Sequence, residues 1–268
     1  IVLGANAHDV VIEGCDISGW GQSASTLGGN NQAAVRVQGF SYNAKNVTRI
    51  IIQRNKIHDP RNSASGWTSE TSGEHPYGVN GINFEESGGN HVIRYNDIYG
   101  DTDPASKKRF MDGIGGADNF TTTGFPGANS DIYGNNIRGC FDDGIEAEGG
   151  GCNVRIWGNF MNYTFTGVAT ATVSVGPCYV FNNVTNVGMR MSYVSTNEDR
   201  GPFNKCGSND ASLRGGRTYL FHNTVLQPSG NRGLCGGIVD NGGNVNNVIS
   251  KNNIWTSAYT NRGGLPIA

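Results

Sequence analysis

The chain is short of charge, and what charge it has is balanced. Asp, Glu, Lys and Arg make up only 16% of its 268 residues and the formal net charge is -2, so there is none of the basic footprint that binds nucleic acid. No apolar run approaches the length that spans a bilayer, which leaves the sequence without a membrane-spanning segment. Tight Cys/His spacings are missing too, so the six cysteines (Cys15, Cys140, Cys152, Cys178, Cys206 and Cys235) offer no structural zinc site. An initiator Met and a signal-like stretch are also absent. Ile1 opens directly on a strand-like IVLG, and the expectation is a single solenoid domain over 1–268 taken from a longer chain, its amino-terminal cap missing.

What is abundant is glycine, 41 residues, together with asparagine. Such a chain is turn-rich and neither helical nor disordered. An even cysteine count in this setting favours an oxidising, extracellular or cell-surface compartment. Pairs of Cys140 with Cys152 and Cys206 with Cys235 are expected, with buried free thiols as the alternative.

The sequence repeats. Several apolar or β-branched residues, then Asn, any residue, and Ile, Val or Met recur as RIIIQRNKI (49–57), HVIRYNDI (91–98), SDIYGNNI (130–137), VRIWGNFM (154–161) and TYLFHNTV (218–225). The equivalent asparagines read as Asn55, Asn96, Asn135, Asn159, Asn182, Asn223 and Asn252, with Cys15 in the first repeat. Short strands at uneven but recurring intervals, bounded by Gly and Asn turns, predict an all-β solenoid of about eight coils. The asparagine has a mechanism: it tolerates left-handed backbone, and stacked amides hydrogen-bond from coil to coil. With these residues the chain resembles the right-handed parallel β-helix proteins of the pectate lyase and polygalacturonase type over essentially its whole length.

A second strand follows each ladder turn, marked by Gly and an apolar residue: NGINFEE (80–86), DGIGGAD (112–118), DGIEAEG (143–149), TGVATAT (166–172), VGMRMS (187–192) and GGIVDN (236–241). Aligning Ile82, Ile114, Ile145, Val168, Met189 and Ile238 as inward residues sends Asn83, Gly115, Glu146, Ala169, Arg190 and Val239 outward, and beside them Glu85, Ala117, Glu148 and Ala171. Small residues then leave a trough in which Asp112, Asp143, Glu146 and Glu148 stand, closed at its ends by Arg190 and Glu85. Coils are ~4.8 Å apart, so carboxylates in register cannot all ionise freely: one holds a proton, or a cation such as Ca2+ binds, or a base compensates. The bland alternative is that Asp-Gly at a corner is simply good turn chemistry.

The resemblance to polygalacturonases adds that an Asp before Gly in one coil and a paired Asp-Asp in the next are matched by Met111-Asp112-Gly113 and Asp142-Asp143-Gly144. It implies that Asp142 or Asp143 is the general acid and that the other, with Asp112, activates water. The family's His-Gly and Arg-x-Lys are here Thr166-Gly167 and Arg190-Met191-Ser192, so galacturonate specificity does not carry over.

The expected function is therefore binding of a polysaccharide, most readily an acidic one, and its hydrolysis by Asp112, Asp142, Asp143, Glu146 and Glu148. Arg190, Glu85, Asn83, His75, Lys107 and Arg109 are the expected substrate contacts, with Trp67, Tyr77 and Phe110 available to stack on sugars. No cofactor is required. A Ca2+ held by Asp143, Glu146 and Glu148 defines the alternative, a Ca2+-dependent lyase with Arg190 or an insert Lys as base. The alternative of another class is a non-catalytic spike or filament solenoid, whose open coil ends invite end-to-end self-association.

Overall fold

The computed structural model describes residues 1–22, 32–37, 44–67, 75–100, 108–116, 120–188, 202–226, 237–240, 245 and 247–256. Its strands are short because the sequence interrupts them with a turn residue every few positions, and each turn hands the chain to the next face of a coil. One face is a parallel sheet of 8 strands; the other two belong to a sheet of 14. The result is a parallel β-helix. Its second and third faces join where the strands Asn136–Glu146 and Phe160–Thr170 run from one into the other.

The core is a set of apolar columns. On the first face Ile12, Ile52, Ile93, Ile132, Ile156, Val180 and Leu220 stand in register, one per coil. The second face stacks Ile17, Ile57, Ile98, Ile137 and Met161, and the third Val35, Ile82, Ile114, Ile145 and Val168. Most of these side chains are fully buried, each burial stabilising by about 2 kcal/mol. Glycine is required where the second face turns into the third. A Cβ at Gly113 would lie 2.5 Å from Ile137 Cγ2, and one at Gly144 3.1 Å from Met161 Sδ, so a side chain here would drive into the neighbouring column.

Asparagine closes the corner between the first and second faces. The amide of Asn135 donates to Ile93 O (3.0 Å) and to Asn159 Oδ1 (3.0 Å), while its Oδ1 accepts from the main-chain N–H (3.1 Å) and the amide (2.9 Å) of Asn96. The same bonds run through Asn55, Asn96, Asn135, Asn159, Asn183, Asn223 and Asn253, and Cys15 enters through its main-chain N–H. Two assignments therefore move by one residue, from Asn182 to Asn183 and from Asn252 to Asn253. The left-handed backbone belongs to the residue before the ladder amide. That slot holds Gly14, Arg54, Tyr95, Gly134, Gly158, Asn182, His222 and Asn252, all at positive φ. The tandem asparagines fill both roles in turn.

Trp157 does not enter the core. It stands half-buried on the outside of the first face, stacked between Tyr133 (4.2 Å) and Phe181 (6.0 Å), with Phe221 continuing the stack. No disulfide joins Cys140 and Cys152: Cys140 is buried in the strand that enters the third face, whereas Cys152 lies in the turn leading into the first. The pairing of Cys206 with Cys235 lies outside the described residues, as Cys235 does. Among the described residues no helix is long and apolar enough to cross a membrane.

Candidate active site

The third face carries the acids. Parallel pairing sets Asn80 beside Ala33, Ile114 beside Ile82, Ile145 beside Ile114, and Asp143 beside Thr166. Asp112 and Asp143, each two residues before its core Ile, thus fall in one column, and the Asp143 N–H donates to Asp112 Oδ1 at 3.0 Å. The Asp112 N–H in turn donates to Asn80 Oδ1 at 2.9 Å. Asn83, Gly115, Glu146 and Ala169 form the next outward column. Gly115 leaves room for Glu146, whose Oε2 would sit 3.0 Å from a Cβ there.

A register shift between Cys140 and Asp143 sets Phe141 and Asp142 opposite the single residue Phe165. Such a bulge re-aims side chains, and here it brings Asp142 round to the acids. Asp112, Asp142 and Asp143 each offer an oxygen within 4.8 Å of the others, as do Asp143, Glu146 and Glu148. Asp143 belongs to both groups.

The acids do not stand in an open trough. Asp112, Asp142, Asp143 and Glu148 are at most 2% exposed and Glu146 is 8% exposed. The cover is the insert before the third-face strand of the second coil. Ala64 packs with Met111 and Phe141, its N–H bonded to Arg109 O (2.9 Å). Trp67 then donates its indole N–H to Phe141 O (2.8 Å) and leans on His75 (4.7 Å) and Phe165 (5.2 Å). His75 Nε2 reaches Asp142 Oδ2 at 3.1 Å while 59% of its side-chain surface stays exposed.

The position next to Ala169 is held by Lys205 rather than by Arg190, because Asn204–Cys206 is the strand that pairs there. Ala169 lies between the Glu146 and Lys205 strands and is too short to screen them. The ammonium reaches across to Asp143 Oδ2 (3.2 Å) and Glu148 Oε1 (3.4 Å). Arg190 and Lys107 lie outside the described residues. Arg109 is not a solvent-exposed rim but is buried, its guanidinium 5.2 Å from the Phe141 ring centre. Glu85 is half-buried just beyond the strand that carries Asn83, and Phe110 is core, stacked 5.8 Å from Trp20.

Burial and mutual repulsion decide the protonation. Desolvation, then the charge of Asp142, raises the Asp112 carboxyl to about 8. Desolvation with the neighbouring acids holds Asp143 and Glu146 well above the ordinary carboxylate range, and Glu148 is raised as well. Lys205 loses stabilisation of its charge to burial, but Asp143, Glu148, Asp142 and Glu146 outweigh that and keep it an ammonium. The hydrogen bond to Asp142 raises His75 to about 9.

Three buried oxygens, Asp142 Oδ1, Asp143 Oδ1 and Glu148 Oε2, find no hydrogen-bond partner among the described residues. Buried polar atoms are rarely left so, and a cluster of them marks a place where something else binds or where protons are held ready. Three carboxylates at Asp112, Asp142 and Asp143 also suit a hard cation such as Ca2+. At Asp143, Glu146 and Glu148 the Lys205 ammonium already competes for that role. No protein-family model, no curated protein and no solved structure matches the chain.

Proposed function

We propose that the protein binds a polysaccharide outside the cell or at its surface and hydrolyses it with carboxyl groups of this cluster. The observation that supports the reading is the unequal pairing of the acids. Lys205 engages Asp143 and Glu148, and His75 engages Asp142, whereas no cation among the described residues pairs with Asp112 or Glu146; burial raises Asp112 to about 8 and Glu146 well above the ordinary carboxylate range. Glu146, the most exposed of the five, is the general acid: it gives its proton to the glycosidic oxygen as the bond to the anomeric carbon breaks. Asp142, paired with His75 and with an Oδ1 that has no partner among the described residues, takes a proton from the water that attacks that carbon. One proton leaves the cluster and one returns, and water is consumed.

The lyase reading draws on the carboxylate triad of Asp112, Asp142 and Asp143, which would hold a Ca2+ and let it acidify the proton next to a uronate carboxyl. Lys205, held protonated, is not its base, and the bases expected for it, Arg190 or an insert Lys such as Lys107, lie outside the described residues. The test is product release from a panel of acidic and neutral polysaccharides, following reducing ends and the ultraviolet absorbance of unsaturated uronates, with and without chelator. Hydrolysis predicts reducing ends without absorbance, insensitive to chelator and lost in Glu146→Gln and Asp142→Asn. Absorbance that chelator abolishes would make it a lyase. Silence across the panel would leave a non-catalytic solenoid.

A further inference from the structure

The acid cluster has a second wall, and its chemistry bears on which sugar is bound. On the side of the bulge stand Trp67, Phe165 and Tyr163, all half-buried, with the exposed His75 between Trp67 and Asp142. The bond from the indole N–H to Phe141 O fixes the Trp67 ring. Phe165 is fixed by its place opposite the bulge. Rigid aromatic rings beside a polar cluster suit the apolar C–H face of a pyranose, which stacks on a ring while its hydroxyls meet the polar groups.

Charge narrows the class further. A uronate residue brings a carboxylate and needs an uncommitted cation to receive it. The cations that the described residues bring into contact with the cluster are Lys205 and His75, and both are already paired with its carboxylates. A bound uronate beside His75 would instead lie next to the Asp142 carboxyl, with no uncommitted cation among the described residues to receive it. A neutral sugar needs no such cation, and its hydroxyls can donate to or accept from the polar groups at the exposed edge of the cluster, where His75 stands.

Resting on the hydrolase reading of this site, we infer that its substrate is a neutral polysaccharide, one pyranose of which sits on the Trp67–Phe165 shelf beside Asp142. This departs from the acidic glycan that the sequence favours.

The experiment is equilibrium binding to the full chain carrying Glu146→Gln, which cannot turn over. The probes are a mixed-linkage glucan and a galactomannan against polygalacturonate and alginate. Expected is binding of a neutral polymer at least about tenfold tighter than either uronate, and a loss of about tenfold or more when Trp67→Ala is added. Trp67→Phe, which keeps a ring, retains most of the affinity and controls for folding. Preferential uronate binding overturns the inference, and so does a Trp67→Ala protein that binds as well as its parent. A neutral polymer that is bound by Glu146→Gln but never cut by the unmodified protein sinks the hydrolase reading and leaves the substrate class standing. A uronate polymer that is both bound and cut does the reverse. Binding of neither class by the folded variant overturns both.

Discussion

Two buried polar systems run through this solenoid, one at each of two corners, and they differ in how their atoms are satisfied. In the asparagine ladder, Asn135 spends both amide hydrogens and both acceptor positions on protein atoms between 2.9 and 3.1 Å away. In the acid cluster, three oxygens have no partner among the described residues and two carboxyls are left without a cation. The ladder fixes register and gains stability from its closure. The cluster costs stability, since like charges and desolvation oppose it, and such a cost fits a working site better than a structural one.

The difference can be broken at either corner. The largest effect is expected in the ladder. Asn135→Leu takes away the Asn135 bonds of Ile93 O, of the Asn96 main-chain N–H and of one Asn96 side-chain N–H, and at about 1–3 kcal/mol for each orphaned group the loss is about 4 kcal/mol, read as a lower urea midpoint with an unchanged slope. Lys205→Met removes the ammonium from Asp143 and Glu148 and costs about 3 kcal/mol at pH 7. The loss shrinks as pH falls and the carboxyls take up protons instead, and Lys205→Arg recovers part of it.

The smallest effect is also the sharpest in sign. Asp112, raised from 3.8 to about 8, adds stability that is full below 3.8 and is lost as pH rises through about 8. His75, raised from 6.5 to about 9, adds stability that is full below 6.5 and is lost as pH rises through about 9. The melting temperature should therefore fall between pH 6.5 and 9. Asp112→Asn, which has no proton to lose, should melt about 2–4 °C above the parent at pH 9, with no such gain at pH 4. A parent whose melting temperature rises over that interval contradicts the assignment.

The fold was legible because a solenoid writes its register many times over. Columns such as Ile82, Ile114, Ile145 and Val168 follow from Gly and an apolar residue after each ladder turn, and the pairing agrees. Where the sequence offered two amides side by side, at Asn182-Asn183 and Asn252-Asn253, only the register distinguishes the left-handed residue from the ladder residue. Lys205 was hidden for a different reason. Its strand carries a polar inward residue, Asn204, whose amide is satisfied by Val168 O (2.9 Å) and Thr170 Oγ1 (3.1 Å), so it lacks the Gly-apolar signature that VGMRMS displays. A lone lysine between two buried residues was the available signal. The acids were found, but not their burial, because the alternation of a strand says nothing of an insert folding over it.

The central claim is that this cluster holds protons at neutral pH, and it can be tested without knowing the substrate. Carbon-13 NMR of protein labelled at the Asp and Glu carboxyls, titrated from pH 4 to 9 and assigned with Asp112→Asn and Glu146→Gln, reads each protonation directly. The account predicts that the Asp112 carboxyl remains protonated at pH 7 and titrates near 8, and that Glu146 titrates well above the ordinary Glu range. Five carboxyls fully ionised by pH 6 would contradict it.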